Sequence, residues 1–317
     1  MTRRLLRYAG IAALVVALNF LLPRWLPGSP VTGGETAAPL PAAAQRTLIE
    51  TYHLDDPPSR QFARYLADLA RGDLGRSIVS HRAVRQVLAE RLPWTLGLVC
   101  GAVLAAALLG GAVGWLAATR PARRGIRLLA SVVFGIGALP EFLLGMILII
   151  ALATRLRAFP PGGGETPFLD ASAWLPRMID LGRHAALPGL TLALVVTPVF
   201  ALLIRNVTVP LLRAPFLVAA RSRGASGWRL ARHVWRNAIP PVVTLLGIRL
   251  GAAVAGAAVV ERLFAYPGLG WLLFESVSTR DYPMIQGIVL ISSFAVLAMN
   301  FALDAIGGWL DPRTALS

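Results

Sequence analysis

Six apolar runs, each near the length a helix needs to cross a bilayer, constrain this chain more than any other feature. They fall at about 5–22, 94–118, 128–153, 185–204, 242–260 and 284–303. Crossing hydrocarbon takes about 20 helical residues, because the backbone there has no water to bond and must satisfy itself. Composition agrees. Of 317 residues 56% are hydrophobic and 15% charged, against about 25% charged in an ordinary soluble domain. The expectation is an all-α integral membrane protein with six transmembrane helices. Residues 1–23 form the first, 24–93 an extracytoplasmic segment, 94–310 a core of five more spans and 311–317 a tail. Arg3 and Arg4 before an apolar core also suit a signal peptide, but Pro23-Arg24-Trp25 follows where a small-residue cleavage site belongs, so the first span is read as retained.

Charge gives the orientation. The net charge is +15, and every one of the 31 basic residues is arginine. With the N-terminus inside, the cytoplasmic pieces hold 15 arginines against Asp304 and Asp311, while the outer segments are nearly balanced. That is the positive-inside pattern, with both termini cytoplasmic. It accounts for the charge without nucleic acid as a partner. A chain with no lysine has no P-loop lysine for the phosphates of ATP, so it is not its own Walker-type ATPase. Cys100 stands alone, and His53, His81, His184 and His233 have no ligand spacing, so no metal site is expected. No nucleophile–base arrangement points to an enzyme.

The most informative polar stretch lies between the fourth and fifth spans, in a loop taken as 205–240. From Arg205 to Arg236 it carries seven arginines and no acid. Wound at 100° per residue, Trp228, Leu230, Ala231, Val234 and Trp235 share one half of a helix, with Arg229, Arg232 and Arg236 on a narrow arc beside it. Phe216 to Arg223 also reads as helix, and Gly224 falls where the two would meet. A helix, a glycine turn and a short amphipathic helix fit a partner's groove; arginine with tryptophan equally fits an anionic lipid surface.

Ala219, Ala220 and Gly224, with Val234 ten residues beyond, resemble the cytoplasmic EAA loop of ABC-importer permeases. Val218 stands where that motif has its first Glu, and Arg236-Asn237 where it has Leu-Pro. This form is similar to the dipeptide, oligopeptide and nickel branch. The resemblance continues through Pro27-Gly28-Ser29-Pro30, Arg71-Gly72-Asp73-Leu74-Gly75, Glu90-Arg91-Leu92-Pro93, Pro140, Phe142 and Gly145, Pro267-Gly268-Leu269-Gly270, Arg280-Asp281-Tyr282-Pro283 and Asp311-Pro312-Arg313. It implies a type I ABC-importer permease fold in a bacterial inner membrane. It also implies four kinds of partner: a second homologous permease, two ATP-binding subunits, an extracytoplasmic substrate-binding protein and the bilayer. ATP and Mg would sit on the ATPase subunits, with no cofactor on this chain. The loop residues Ala219, Ala220, Gly224, Trp228, Arg229, Leu230, Arg232, Val234, Trp235 and Arg236 would form the ATPase-coupling site. The implied cargo is peptide-like; a nickel or other small-solute permease of the same family is the alternative. From another class, an ion-gradient-driven secondary transporter would show related halves and more intramembrane charge.

Glu141 and Arg249 fall within the third and fifth runs. A charge at mid-bilayer costs about 2.5–3.5 kcal/mol, so neither is expected to face lipid. They face the translocation path or pair with each other, and the two alternatives stay open on sequence. Gly110-Gly111, Gly135 and Gly137 read as small residues for close helix packing. Glu261 and Asp281 are expected to bond within their own outer loop.

Overall fold

Proline and glycine decide where the apolar runs stay helical and where they break. The computed structural model describes residues 2–25, 55–167 and 174–310; the expected motifs at 27–30 and 311–313 lie outside the described residues. The helices are α1 (Thr2–Trp25), α2 (Pro58–Ala70), α3 (Val84–Thr119), α4 (Arg124–Gly137) and α5 (Glu141–Leu148), which continues as a π-helix over Ile149–Arg155. Then come α6 (Trp174–Leu211), α7 (Pro215–Ser222), α8 (Trp228–Leu263), α9 (Leu269–Ser278) and α10 (Tyr282–Leu310). Among the described residues the only β-type pairing is an isolated bridge between Arg76 and Ala83. By length and composition α3, α6 and α10 can each cross a membrane; α4 with α5, and the two parts of α8, are bent pairs apolar enough to make a broken span or a re-entrant loop. The apolar stretch of α1, Tyr8–Leu21, is shorter.

The third run departs from the expected single helix over 128–153. It breaks after Gly137, and the two halves meet at 111°. Pro140 is the cause: it has no N–H to continue the ladder and bars Leu139 from the α region. Ala138 and Leu139 close the first half with bonds to Gly135 and Ile136, and Pro140 (φ −56°, ψ 140°) opens the second. Pro188, Pro198, Pro240 and Pro241 stay inside helices, as neighbouring elements permit in membrane proteins.

Two compact units divide the chain: residues 1–95 with 267–297, and residues 96–266 with 298–317. In the second, backbones meet at glycines. A β-carbon on Gly110 or Gly114 would overlap the carbonyl oxygens of Thr197 and Ala201 on α6, and one on Gly137 would overlap the Pro198 ring. This is the small-xxx-small seam of membrane helices. At Gly145 the neighbours are side chains instead: an added β-carbon would overlap the Leu263 side chain and crowd the Phe264 ring. The segment after the π-helix is tied down too: Gly163 N–H donates to the Phe264 carbonyl at 2.8 Å, and Thr166 donates to Asp180 through its N–H (2.7 Å) and its hydroxyl (2.6 Å).

The first unit packs Val84, Val87 and Leu88 of α3 against Leu269, Leu272, Met284 and Ile288. Asp281, 3% exposed, takes the Ser77 hydroxyl and the N–H groups of Ile78 (3.2 Å), Val79 (3.5 Å) and Met284 (3.3 Å). Three of these donors lie on the distant 77–79 turn, so the expectation of bonding within its own loop is corrected: only the Met284 N–H is local, and the carboxylate is turned away from solvent. Asn19 of α1 donates to the Tyr65 hydroxyl and to the Gln286 carbonyl, both at 3.0 Å. In the second unit Glu261 is fully buried. Burial first, and the Glu261 charge second, push the Tyr266 phenol up to about 12.

Candidate functional site

The arginine loop is built on two glycines. Past α6, Pro215 occupies the first turn of α7, where its missing N–H costs nothing. At the far end Gly224 N–H bonds Arg221 O (2.9 Å) and Ala225 N–H bonds Ala220 O (3.0 Å). That pair of bonds is a Schellman cap, and it needs a left-handed residue, supplied by Gly224 at φ +83°. Gly227 (φ 54°, ψ −121°) then turns the chain into α8. Gly224 was legible as the meeting point. Gly227 was not singled out, although the Ser226-Gly227 dipeptide is a turn signal.

Two corrections follow. The amphipathic segment after Gly224 is not a separate short helix but the opening turns of the 36-residue α8, which passes through Pro240 and Pro241. The isolated short helix is α7, before the glycine. Trp228, grouped on the sequence with the apolar half, is 75% exposed.

The remaining residues sort as their chemistry asks. Leu217, Val234 and Ala238 are buried and seat the loop, while Leu230, Ala219 and Ala220 are half-buried. The Ala219 carbonyl accepts from Ser222 Oγ (3.0 Å) and Arg223 Nε (3.1 Å). Trp235 stacks on Trp115 of α3, with ring centres 5.4 Å apart and planes at 24°. Facing outward are Phe216, Val218 and Trp228 with Arg221, Arg223, Arg229, Arg232 and Arg236. Among the described residues none of these arginines has a carboxylate at ion-pair distance. An exposed aromatic and aliphatic patch ringed by unpaired guanidiniums has the composition of an interface hot spot.

Glu141 and Arg249 do not form an ion pair among the described residues. Glu141 is half-buried at the first position of α5, directly after the Pro140 break. It therefore sits at a helix N-terminus, not mid-helix, where the macrodipole favours an acid. Arg249 lies well inside α8, half-buried, with its Nε shielded and without an acceptor. The open alternative of a mutual pair is thus not realised within this chain.

A helical protein with several apolar spans, an exposed arginine-rich loop between two of them and, among the described residues, no ion pair for Glu141 or Arg249 has the outline of a transport permease. Residues 87–316 match the family "Binding-protein-dependent transport system inner membrane component". The glutathione transport system permease protein GsiC of Salmonella paratyphi A is 36% identical over 98% of this chain and 96% of its own length. The GsiC protein of Escherichia coli K12 is 34% identical over the same shares. Among solved structures, the MetNI methionine ABC transporter in its inward-facing conformations superposes with a TM-score of 0.56. That match has 20% identity and covers 72% of this chain and 97% of that one; it bears on the fold alone. The chain belongs to the binding-protein-dependent inner membrane component family and is a permease subunit of an ABC importer. The alternative of an ion-gradient-driven carrier is thereby set aside.

Proposed function

We propose that this chain and a second permease enclose a path for a peptide-like, anionic solute. An extracytoplasmic binding protein delivers the solute, and two separate ATPase subunits drive the path from the cytoplasmic side. The chain itself hydrolyses nothing and holds no cofactor; ATP and Mg belong to the ATPases. The observation that carries this is the 212–236 loop, whose buried Leu217 and Val234 hold an exposed apolar and arginine surface with no acid of its own. The positive-inside pattern supports a cytoplasmic position for that loop and for both termini. ATP-driven closure of the partners would then rock the spans as rigid bodies.

Cargo chemistry follows from Arg249. Among the described residues the Arg249 guanidinium has no counter-charge, and a passing carboxylate would supply one. Glu141 is suited to the amino end of the same cargo. The two GsiC relatives are named for glutathione transport, and glutathione is an anionic peptide.

The test is the reconstituted complex. Trp228→Ala together with Arg229, Arg232 and Arg236 changed to Glu removes hot-spot residues worth about 2 kcal/mol each, so ATPase recovered with the permeases should fall more than about tenfold. Undiminished recovery would refute the docking role. Arg249→Leu should cut uptake of radiolabelled glutathione by about tenfold, the worth of one charge-assisted hydrogen bond, while Arg249→Lys retains most of it. Equal uptake in all three would remove Arg249 from the path.

A further inference from the structure

We infer that the Trp115–Trp235 stack is the joint through which the docking loop drives the helices of the path. The inference rests on the reading of that loop as the ATPase site. Trp235 directly follows Val234, one of the buried side chains that seat the start of α8, and its ring lies 5.4 Å from that of Trp115. On α3, one turn before Trp115, a β-carbon at Gly111 would lie 3.7 Å from the tip of the Trp235 ring, so the indole lies along a stretch of α3 kept clear of side chains. The adjoining face of α3 carries Gly110 and Gly114, where even an added β-carbon would overlap the α6 backbone at Thr197 and Ala201.

Mechanical consequences follow from these two faces. Where glycine meets backbone, no rotamer can relax to absorb a displacement, so α3 and α6 move as one piece at that level. Where two broad rings stack, each with only two torsions, a push from α8 reaches α3 with little give. The exposed arginines and Trp228 take hold of the partner; Trp235, on the inner side, passes the movement on. The contact by which Trp115 would act is its stack on Trp235. Trp115 is a positioning residue, acting through Trp235.

The test uses the complete complex of both permeases and the ATPases in liposomes, with Cys100→Ser and a single fluorescent label at Leu108→Cys on an exposed face of α3. The readout is the change in label accessibility on adding ATP with vanadate, alongside the ATPase content of the same sample. Wild type and Trp115→Phe should respond alike. Trp115→Leu, which keeps apolar bulk but not the stack, should keep its ATPase and respond roughly fivefold less, the scale of one aromatic pair. A full response from Trp115→Leu, or none from wild type with ATPase bound, would overturn the proposal. If Trp115→Leu fails to assemble, Trp115→Met makes the same comparison; failure of both would make the stack a packing contact and overturn the proposal too. ATPase missing from the wild-type complex would sink the docking reading itself, and the joint with it.

Discussion

Asp281→Ala should be the most damaging single change outside the loop, lowering stability by about 3–5 kcal/mol. Asp281 accepts from the Ser77 hydroxyl and from three N–H groups, at Ile78, Val79 and Met284, in a setting where it is 3% exposed. Removing an acceptor shared by buried donors leaves each donor to bear its own desolvation, about 1–3 kcal/mol apiece before relaxation and water entry. The bonds also fasten the 77–79 turn to the start of α10, so its loss should free the neighbouring backbone. The check is thermal unfolding of the purified chain in detergent, together with trypsin cleavage at Arg76 and Arg82. Asp281→Ala should unfold at a lower temperature and be cut at both sites sooner than wild type. Asp281→Asn, keeping one acceptor oxygen, should fall between. Wild-type behaviour in the alanine variant would mean that the carboxylate holds nothing.

Gly114→Ala and Gly101→Ala should move stability in opposite directions, although both add one methyl group to the same helix. At Gly114 the new β-carbon would overlap the Ala201 carbonyl oxygen, and two helix backbones would have to separate. Overpacking of this kind costs roughly 1–3 kcal/mol, more than the helix-propensity gain of about 1 kcal/mol. At Gly101 nothing lies within 4 Å of the added carbon, so the propensity gain stands unopposed. Thermal aggregation of the two purified variants reads this directly. A common direction of change would contradict the glycine seam between α3 and α6.

Much of the architecture was legible because membrane insertion imposes local rules. The apolar runs and the arginine bias are properties of contiguous sequence, and so is Gly224, whose place after Phe216–Arg223 marks a helix end. The fate of each proline was not local. Pro140 ends a helix while Pro198, Pro240 and Pro241 do not, and the sequence rule is the same for all four. What differs is the surroundings, as at Pro198, whose ring is packed on Gly137. For that reason Glu141 was placed mid-helix and the start of α8 was read as a separate element. Long-range partners were equally out of reach. Ser77 and Asp281 are 204 residues apart, and nothing in either neighbourhood names the other. An isolated tryptophan near the end of an apolar run is ordinary, so nothing in the sequence marks Trp115; its ring geometry against Trp235 exists only in the fold.

Site-specific photocrosslinking from position 228 or 232 in the assembled complex most directly tests whether the loop meets a nucleotide-hydrolysing partner. Both side chains are exposed, on a segment whose neighbours Val234 and Ala238 are buried, so a reactive group there samples what lies against the loop. A covalent product with the ATPase subunit, whose yield changes on adding ATP, is the predicted result. Adducts with phospholipid alone, or labelling of these positions by a membrane-impermeant reagent added outside intact cells, would contradict it.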